Sequence, residues 1–430
     1  MKLSSLVGKM ASLVGARLIG AGVGFASQLV LARILSVDDV GVVFLGMSAA
    51  AFIALVANGG YALLATTELP KLTAHGRTKL ADSFNRAAVV DSLIAFAAVV
   101  AVIALAGFTL QLTPGQRTAL LFGCLCAPAS MFIRYNASMA MAARFFKTAY
   151  MPDFLFRPSA FLVGLLAGAF VGLVHDAISA LIVFVSVTYL TGVGQSLALR
   201  GRGLSLRHLA PPRPAFAKKL RAKAFSLTLV SATMLAFADI VILVSGWILP
   251  EKDVAIVGIA MRLAAIAGFV LQAGQMLVVT DFTQALMKRD YEMVNGLLKR
   301  INFTTMGIVL AALLGTLVLG DFALSLFGEV YREGKWLLVL FMLGQSLRAL
   351  GGMNQQILSI NGFQLRTAGS CIVTLLMLIG LSVIFCHTFG FIGIGYAVVG
   401  AEVVWLLALA VQAQSLCGRR GDLFWVLQHR

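Results

Sequence analysis

The sequence predicts an all-α integral membrane protein of about twelve transmembrane helices, arranged as two parallel six-helix bundles. Of its 430 residues, 60% are hydrophobic and only 12% are charged, which is more apolar surface than a soluble domain can bury. Apolar runs of membrane-spanning length alternate with short charged clusters along the whole chain. The second half of the chain also repeats the pattern of the first.

Six apolar runs fill the first half of the chain, which we predict to be an N-terminal lobe over residues 1–199. The first run is too long for the core of a signal peptide and has no convincing cleavage site, so it is predicted to be an uncleaved span. The six spans are Leu13–Ile34, Val40–Ala65, Ala87–Leu110, Thr118–Ala143, Phe154–Val174 and Ala177–Leu199.

The second half follows a basic linker at residues 200–224, which carries eight Lys or Arg residues, three prolines and no acidic residue. This charge either binds anionic lipid headgroups or only fixes the topology. A C-terminal lobe is predicted over residues 225–416, with a cytoplasmic tail at 417–430. Its six spans are Phe225–Leu249, Val254–Val279, Phe303–Leu319, Trp336–Leu358, Ala368–Cys386 and Ile392–Leu416.

The net charge is +16, and most of the Lys and Arg residues lie near the ends of the predicted spans. Their positions indicate membrane topology and not nucleic-acid binding. Most of the 34 Lys and Arg residues lie at the termini or in loops on the side of the N-terminus. The turns on the opposite side are acidic, with Asp38 and Asp39 after the first span and Glu251 and Asp253 after the seventh. The sequence therefore predicts a multi-pass protein with both termini in the cytoplasm.

An internal repeat relates the two halves. With an offset of 214 residues, Ile34–Arg86 aligns without gaps on Ile248–Arg300, and 14 of 53 positions are identical. The same offset places Arg134 on Arg348. Because each half contains an even number of spans, the repeat is parallel, and such lobes transport substrates around a site near the bilayer midplane. The outward loops are too short to hold a catalytic centre, so a transporter is predicted and not an enzyme.

Neither a metal site nor a disulfide framework is predicted. The five cysteines lie in or beside spans, and the C-x-C pair Cys124 and Cys126 lacks nearby His or further Cys ligands. No cofactor is predicted other than a coupling Na⁺ or H⁺.

Charged residues within spans are costly in lipid and are therefore functional candidates. Arg17 begins a small, polar stripe on the first helix, because Gly20, Gly24 and Gln28 follow it at helical spacing. The stripe either lines a cavity or packs closely against a neighbouring helix through its glycines.

Asp239 and Arg262 lie at similar depth on two helices joined by a short outward turn. They form either a buried ion pair or a cavity site in which Arg262 binds a phosphate.

Three further charged residues lie within spans of the two halves. Glu402 is about as deep as Asp239, and it either binds a coupling cation or proton or pairs with an arginine. Arg134 and Arg348 occupy equivalent repeat positions. They either bind an anionic substrate or each satisfy a group within their own lobe.

Two stretches resemble transporters of the MOP exporter superfamily. The run LARILSVDDVGVVFLGMSAAAFIALVANGGY resembles the first hairpin of Wzx-type polysaccharide-biosynthesis flippases. The run DIVILVSGWILPEKDVAIVGIAMRLAAIAGF resembles their seventh and eighth helices and includes Asp239 and Arg262. Lipid II flippases and MATE drug exporters belong to the same superfamily, so the resemblance implies a MATE/MOP-like fold.

The resemblance implies a flippase that moves a polyprenyl-pyrophosphate-linked oligosaccharide across the bacterial inner membrane. It implies a lipopolysaccharide, capsule or exopolysaccharide repeat unit as cargo, with a polysaccharide polymerase or glycosyltransferases as partners. It further implies cavity-facing arginines at Arg17 and Arg262, and a cation site of Asp239, Glu402 and Thr374. The alternative is a MATE-like or other secondary exporter of small molecules, although the intramembrane arginines would repel cationic drugs.

Overall fold

The structure is a computed structural model that describes residues 3–109, 111–202, 204, 217–218, 220–225, 227–228 and 237–428. Side chains are described from residue 19 onward within these ranges, except at 108, 270, 272, 273, 276, 277, 280 and 364. Helices dominate the described residues, and no strand occurs among them. The chain forms two compact units, Met1–Leu243 and Val244–Arg430.

Eight helices with defined bounds lie wholly within the first unit, and residues 220–225 are also helical. A π-helical turn at Pro152–Phe156 joins the sixth and seventh of them into one apolar span. The helices are α1 (Leu3–Ile34), α2 (Val37–Asn58), α3 (Tyr61–Ala74), α4 (Thr78–Thr109), α5 (Pro114–Ala142), α6 (Phe146–Met151), α7 (Arg157–Phe170) and α8 (Ala177–Arg200).

The ninth helix, α9, crosses the boundary between the units, and the remaining helices belong to the second unit. A 3₁₀ turn at Glu329–Gly334 precedes α12. The helices are α9 (Phe237–Ile248), α10 (Glu251–Met287), α11 (Tyr291–Ser325), α12 (Lys335–Leu350), α13 (Asn354–Ile360), α14 (Gln364–Phe389), α15 (Ile392–Cys417) and α16 (Leu423–Gln428).

A described helix overlaps each of the twelve predicted spans. Eight of the described helices are long and apolar enough to cross a membrane, and the bent pair of α12 and α13 makes a ninth. The remaining three predicted spans overlap the short apolar segments Ile19–Ile34 and Phe237–Ile248 and the 37-residue helix α10. Part of the span predicted at Phe225–Leu249 lies outside the described residues. The predicted all-α membrane fold class is therefore confirmed.

Glycine allows close helix packing within the first unit. A Cβ atom at Gly123 of α5 would lie 2.6 Å from Ala49 Cβ of α2, and one at Gly46 of α2 would lie 2.8 Å from Leu181 Cδ2 of α8. Small residues at such positions let backbones approach closely, which drives helix association where lipid replaces water. The glycines of α2 and α5 therefore hold the centre of this bundle together.

Two predicted spans are broken by glycine. The span predicted at Val40–Ala65 ends as α2 and restarts as α3 after Gly59, whose φ is +56°. The span predicted at Trp336–Leu358 bends by 47° between α12 and α13, where Gly352 has a φ of +54°. Because side chains with a Cβ are strained at such φ values, glycine permits both breaks.

Candidate functional site

An ion pair joins Arg348 of α12 to Glu402 of α15 in the second unit. Arg348 Nε donates to Glu402 Oε2 at 3.3 Å, and Nη2 donates to Oε1. Glu402 is only 3% exposed, whereas the Arg348 side chain is 33% exposed. A Cβ at Gly344, one turn before Arg348, would lie 3.7 Å from Glu402 Cγ, so this glycine leaves room for the carboxylate side chain.

Arg134 is the equivalent arginine of the first unit, and its surroundings differ. It lies partly buried on α5, and no ion pair or hydrogen bond of its guanidinium is found within the described part of the chain. The position equivalent to Glu402 by the same 214-residue offset is Thr188, which is fully buried. The Thr188 hydroxyl donates to Phe184 O at 2.7 Å and carries no charge. The two repeat-related arginines therefore differ in whether a carboxylate neutralises them.

The predicted residues Asp239 and Arg262 fall in different compact units. Asp239 lies partly buried on α9 within the first unit, and Arg262 lies partly buried on α10 within the second. A short turn joins their helices at Leu249 and Pro250, as predicted, and its outward orientation stays a prediction. The roles predicted for this pair stay predictions.

Thr374 lies on α14 and is 3% exposed. Its hydroxyl has no hydrogen-bond partner among the residues that the structure describes. A buried hydroxyl without a partner is costly, so a bound cation or water would satisfy its oxygen. Thr374 shares the second unit with Glu402, whereas Asp239 does not.

The polar stripe of α1 combines packing and open positions. A Cβ at Gly20 would lie 1.8 Å from Phe154 O, so α1 contacts the π-helical turn directly at this glycine. At Gly24 no atom lies within 4 Å of such a Cβ within the described structure, and Gln28 is partly exposed. The Arg17 side chain lies outside the described residues. The stripe is therefore packed at one end and open further along.

Sequence reasoning missed the polar contacts at the two helix breaks. In the first unit, Gly60 N donates to Ala224 O at 3.1 Å and to Thr228 Oγ1 at 2.7 Å. In the second unit, Met353 N donates to Gly421 O at 3.1 Å. The segment that follows the last long helix of each half is therefore bonded to the broken helix of that unit.

A carboxylate strengthens each of these contacts. Asp91 of α4 accepts hydrogen bonds from Arg221 Nε at 2.9 Å, from Arg221 Nη2 at 2.8 Å and from Tyr61 Oη at 2.6 Å. The bond to Asp91 raises the pKa of the Arg221 guanidinium. Asp422 is fully buried and accepts from Arg420 at 2.6 and 3.0 Å and from Asn354 at 3.1 Å. Residues 220–225 and 227–228 lie within the first compact unit, and the predicted lobe boundaries stay a prediction.

One sequence signal marks both breaks. Gly59–Gly60 and Gly351–Gly352 are the only two Gly-Gly dipeptides in the sequence. Such dipeptides indicate turns even inside an apolar run. The residues that bond to the breaks carry no comparable signal, because Gly60 and Thr228 are separated by 168 positions.

The fold is that of transporters of the MOP superfamily. An inward-facing multidrug resistance MATE family transporter matches with a TM-score of 0.72 and 14% identity, covering 94% of this chain and 96% of that one. The lipid II flippase MurJ in an inward closed conformation matches with a TM-score of 0.68 and 14% identity, covering 94% and 87%.

A MOP superfamily transporter from Pyrococcus furiosus matches with a TM-score of 0.63 and 14% identity, covering 94% of this chain and 95% of that one. Its binding pocket is described as having reversed polarity, which suggests a different function for that protein. No protein-family model matches the sequence, and no curated protein matches it. At these identities the similarity establishes the fold, which is shared by drug transporters and a lipid flippase.

Proposed function

We propose that this protein is a flippase that moves a polyprenyl-pyrophosphate-linked oligosaccharide across the bacterial inner membrane by alternating access. The observation that carries the proposal is Arg134, an arginine within a span that no carboxylate of the described residues neutralises. A cation in that position is costly without a counter-ion, so a mobile anion is the group that compensates it. The pyrophosphate of a lipid-linked sugar is such an anion, and the planar guanidinium fits its oxygens.

The fold supports this cargo class but does not distinguish it from drugs. Structures of the same fold include both the lipid II flippase and MATE transporters. The charge of the site supports the lipid-linked cargo, because an uncompensated arginine attracts a phosphate and repels a cationic drug. In the proposed mechanism the lipid tail stays in the bilayer while the charged head crosses.

Coupling to a cation gradient is proposed to operate through Arg348 and Glu402. While the two side chains are paired, the carboxylate is occupied and is a poor ligand for Na⁺ or H⁺. An anionic headgroup that binds Arg348 would compete with Glu402 and leave a buried carboxylate uncompensated. Such a carboxylate is available to the coupling ion, and the Thr374 hydroxyl oxygen is available as a second ligand for a cation.

The cargo proposal is tested in vesicles that contain a polyprenyl-pyrophosphate oligosaccharide. Translocation is measured as the fraction of sugar that a membrane-impermeant lectin reaches over time. We expect Arg134→Ala to lower the initial rate at least about ten-fold, which corresponds to one lost charge-assisted contact. The matched control is Arg117→Ala, an exposed arginine near the start of the same helix, which should translocate as wild type. Equal rates in both variants would remove Arg134 from the mechanism.

The main alternative, a MATE-like exporter of small molecules, has the same fold. It predicts that the vesicles accumulate an organic cation and leave the lipid-linked sugar in place. Measuring both substrates in one preparation separates the two functions. Cation transport without sugar translocation would overturn the flippase proposal.

The coupling proposal is tested with the same vesicles under imposed Na⁺ or pH gradients. We expect Glu402→Gln to translocate at a rate that no longer depends on either gradient, because the amide cannot titrate and binds cations weakly. Retained gradient dependence in this variant would show that Glu402 is not the coupling group. That outcome would leave the cargo assignment unaffected.

A further inference from the structure

A groove lies between α14 and α15 on the second unit, at the ends of these helices that contain Arg366 and Ser415. It encloses about 420 Å³ and is open to the surface. Four residues spaced along one face of α14 line it, together with four from α15. The neighbouring tail carries Arg419 and Arg420, so the positive-inside rule predicts that this end is cytoplasmic.

The rim of the groove carries a positive charge. Arg366 is exposed, and no carboxylate pairs with it among the described residues. Its guanidinium carbon lies 5.9 Å from the centroid of the Phe363 ring, an attractive contact that leaves the charge in place. A membrane anion that reaches this rim therefore meets an uncompensated cation.

A polar floor lies beneath Arg366. Gln412 Nε2 donates to Ser370 Oγ at 2.7 Å and to Arg366 O at 3.3 Å, which ties α15 to the first turn of α14. Because the Ser370 oxygen accepts this bond, its own hydrogen can be donated to a further acceptor. The guanidinium and this hydroxyl both favour an oxyanion.

The wall of the groove becomes apolar toward the membrane interior. No atom of the described structure lies within 4 Å of a Cβ built at Gly369, so the groove is open at this point. Val373 and Leu376 follow on the same face of α14 and are 52% and 64% exposed. The groove thus presents a cation and a hydroxyl at the interface and an apolar channel below them.

We infer that this groove binds an anionic glycerophospholipid of the cytoplasmic leaflet. The phosphodiester pairs with Arg366 and Ser370, and one acyl chain lies over Gly369 and Val373. The single guanidinium of the site matches the single negative charge of a phosphodiester. The groove runs along α14 from Arg366 toward Val373, which is the direction that an acyl chain takes into the membrane. The inference does not depend on the cargo, because the groove lies entirely within the second unit and includes none of the residues proposed for translocation.

The test uses the purified full-length chain in nanodiscs of phosphatidylcholine with a minor fraction of phosphatidylglycerol. Phosphatidylglycerol that stays bound after detergent exchange is counted by native mass spectrometry. We expect Arg366→Ala to reduce the bound fraction about five-fold, the effect of one basic residue at a membrane surface. Gly369→Leu should reduce it as strongly while leaving the charge intact, because the side chain fills the groove.

The matched control is Arg419→Ala, which removes the same charge near the same end of the unit. Arg419 stacks on Tyr291 at 3.5 Å and lies outside the groove. Retention should match wild type in this variant, and unfolding midpoints should be similar in all three. Equal retention in the two groove variants and the control would overturn the site. Displacement of phosphatidylglycerol by equimolar polyprenyl phosphate would also overturn the assignment, since the groove would then serve a carrier lipid.

Discussion

The two halves of this protein are related by a sequence repeat, but the helix that breaks in one half is not the helix that breaks in the other. In the first unit the second span breaks at Gly59, whereas its counterpart α10 runs without interruption through Ala273, the equivalent residue. In the second unit the tenth span breaks at Gly352, whereas its counterpart α5 continues through Ser138. A residue with a Cβ keeps the helix intact where glycine allows a positive φ. In each pair of equivalent helices, glycine therefore stands at the position that bends, and a residue with a Cβ stands at the equivalent position of the intact helix.

The halves also differ in whether a carboxylate pairs with the equivalent arginines Arg134 and Arg348. Arg348 is neutralised by a buried carboxylate, while Thr188 stands where the first unit would need one for Arg134. A paired arginine stabilises its own bundle, and an uncompensated one is available to an anion from outside. An anion that binds Arg348 must therefore displace Glu402, whereas one that binds Arg134 displaces no carboxylate of the described residues.

The backbone comparison predicts the largest effect. Gly352→Ala should destabilise the protein by about 4 kcal/mol, because alanine is strained at this φ and its Cβ would lie 2.2 Å from Gly421 O. The measurement is the free energy of unfolding in detergent. Ser138→Ala, at the equivalent position of an intact helix, should cost less than about 1 kcal/mol. Similar losses in both variants would show that the break is not a glycine-dependent feature.

The arginine comparison predicts the next largest effect. Arg348→Ala should cost about 3 kcal/mol of folding free energy, since it leaves Glu402 buried without its partner. Arg134→Ala should leave the unfolding midpoint within about 2 °C of wild type, because no pairing is lost among the described residues. Glu402→Thr, which reproduces the first unit in the second, should cost less than Arg348→Ala because the remaining arginine is one-third exposed. Equal losses of folding free energy for Arg134→Ala and Arg348→Ala would contradict this difference in ion pairing.

The tail contact predicts an intermediate effect. Asp422→Ala should cost about 2 kcal/mol, since it removes a buried acceptor that Arg420, Asn354 and the Trp425 N–H all use. Hydrogen exchange of residues 350–360 should also increase, because the tail no longer holds the break. Hydrogen exchange at the wild-type level in this variant would show that the tail contact does not stabilise the helix break.

The linker contact predicts the smallest effect. Arg221→Ala should cost less than about 1 kcal/mol, although its bonds to Asp91 are short, because the Arg221 side chain is 61% exposed. The loss should shrink further in high salt, which screens exposed charges. A larger loss of folding free energy for Arg221→Ala than for Asp422→Ala would contradict the expectation that the buried tail contact is the stronger of the two.

Much of the fold could be predicted from composition and hydropathy. Twelve spans and the pairing of the halves follow from apolar runs and the 214-residue offset, since lipid demands helices of a set length. The breaks were missed because hydropathy averages over a window and is insensitive to φ. The Gly-Gly dipeptides at 59–60 and 351–352 carried that information.

The candidate site was only partly accessible to sequence reasoning. Depth along a helix identified Arg134, Arg348 and Glu402 as intramembrane charges. Their partners were left open, because a helix position gives depth but leaves the neighbouring helix and its facing side chain unspecified. Glu402 lies 54 residues from Arg348 and joined it only when α12 packed against α15.

By itself, the sequence determined that the chain spans a membrane as helices and that it carries a duplicated plan with positive charge within the spans. The spans and their charges are local properties, since each depends on transfer of a short segment into lipid, and the repeat follows directly from comparing the two halves of the sequence. Only the tertiary structure decided that Glu402 neutralises Arg348, that no carboxylate pairs with Arg134 among the described residues, and that distant segments bond to the two breaks. Such contacts join residues far apart in the chain, so they exist only after the helices have packed.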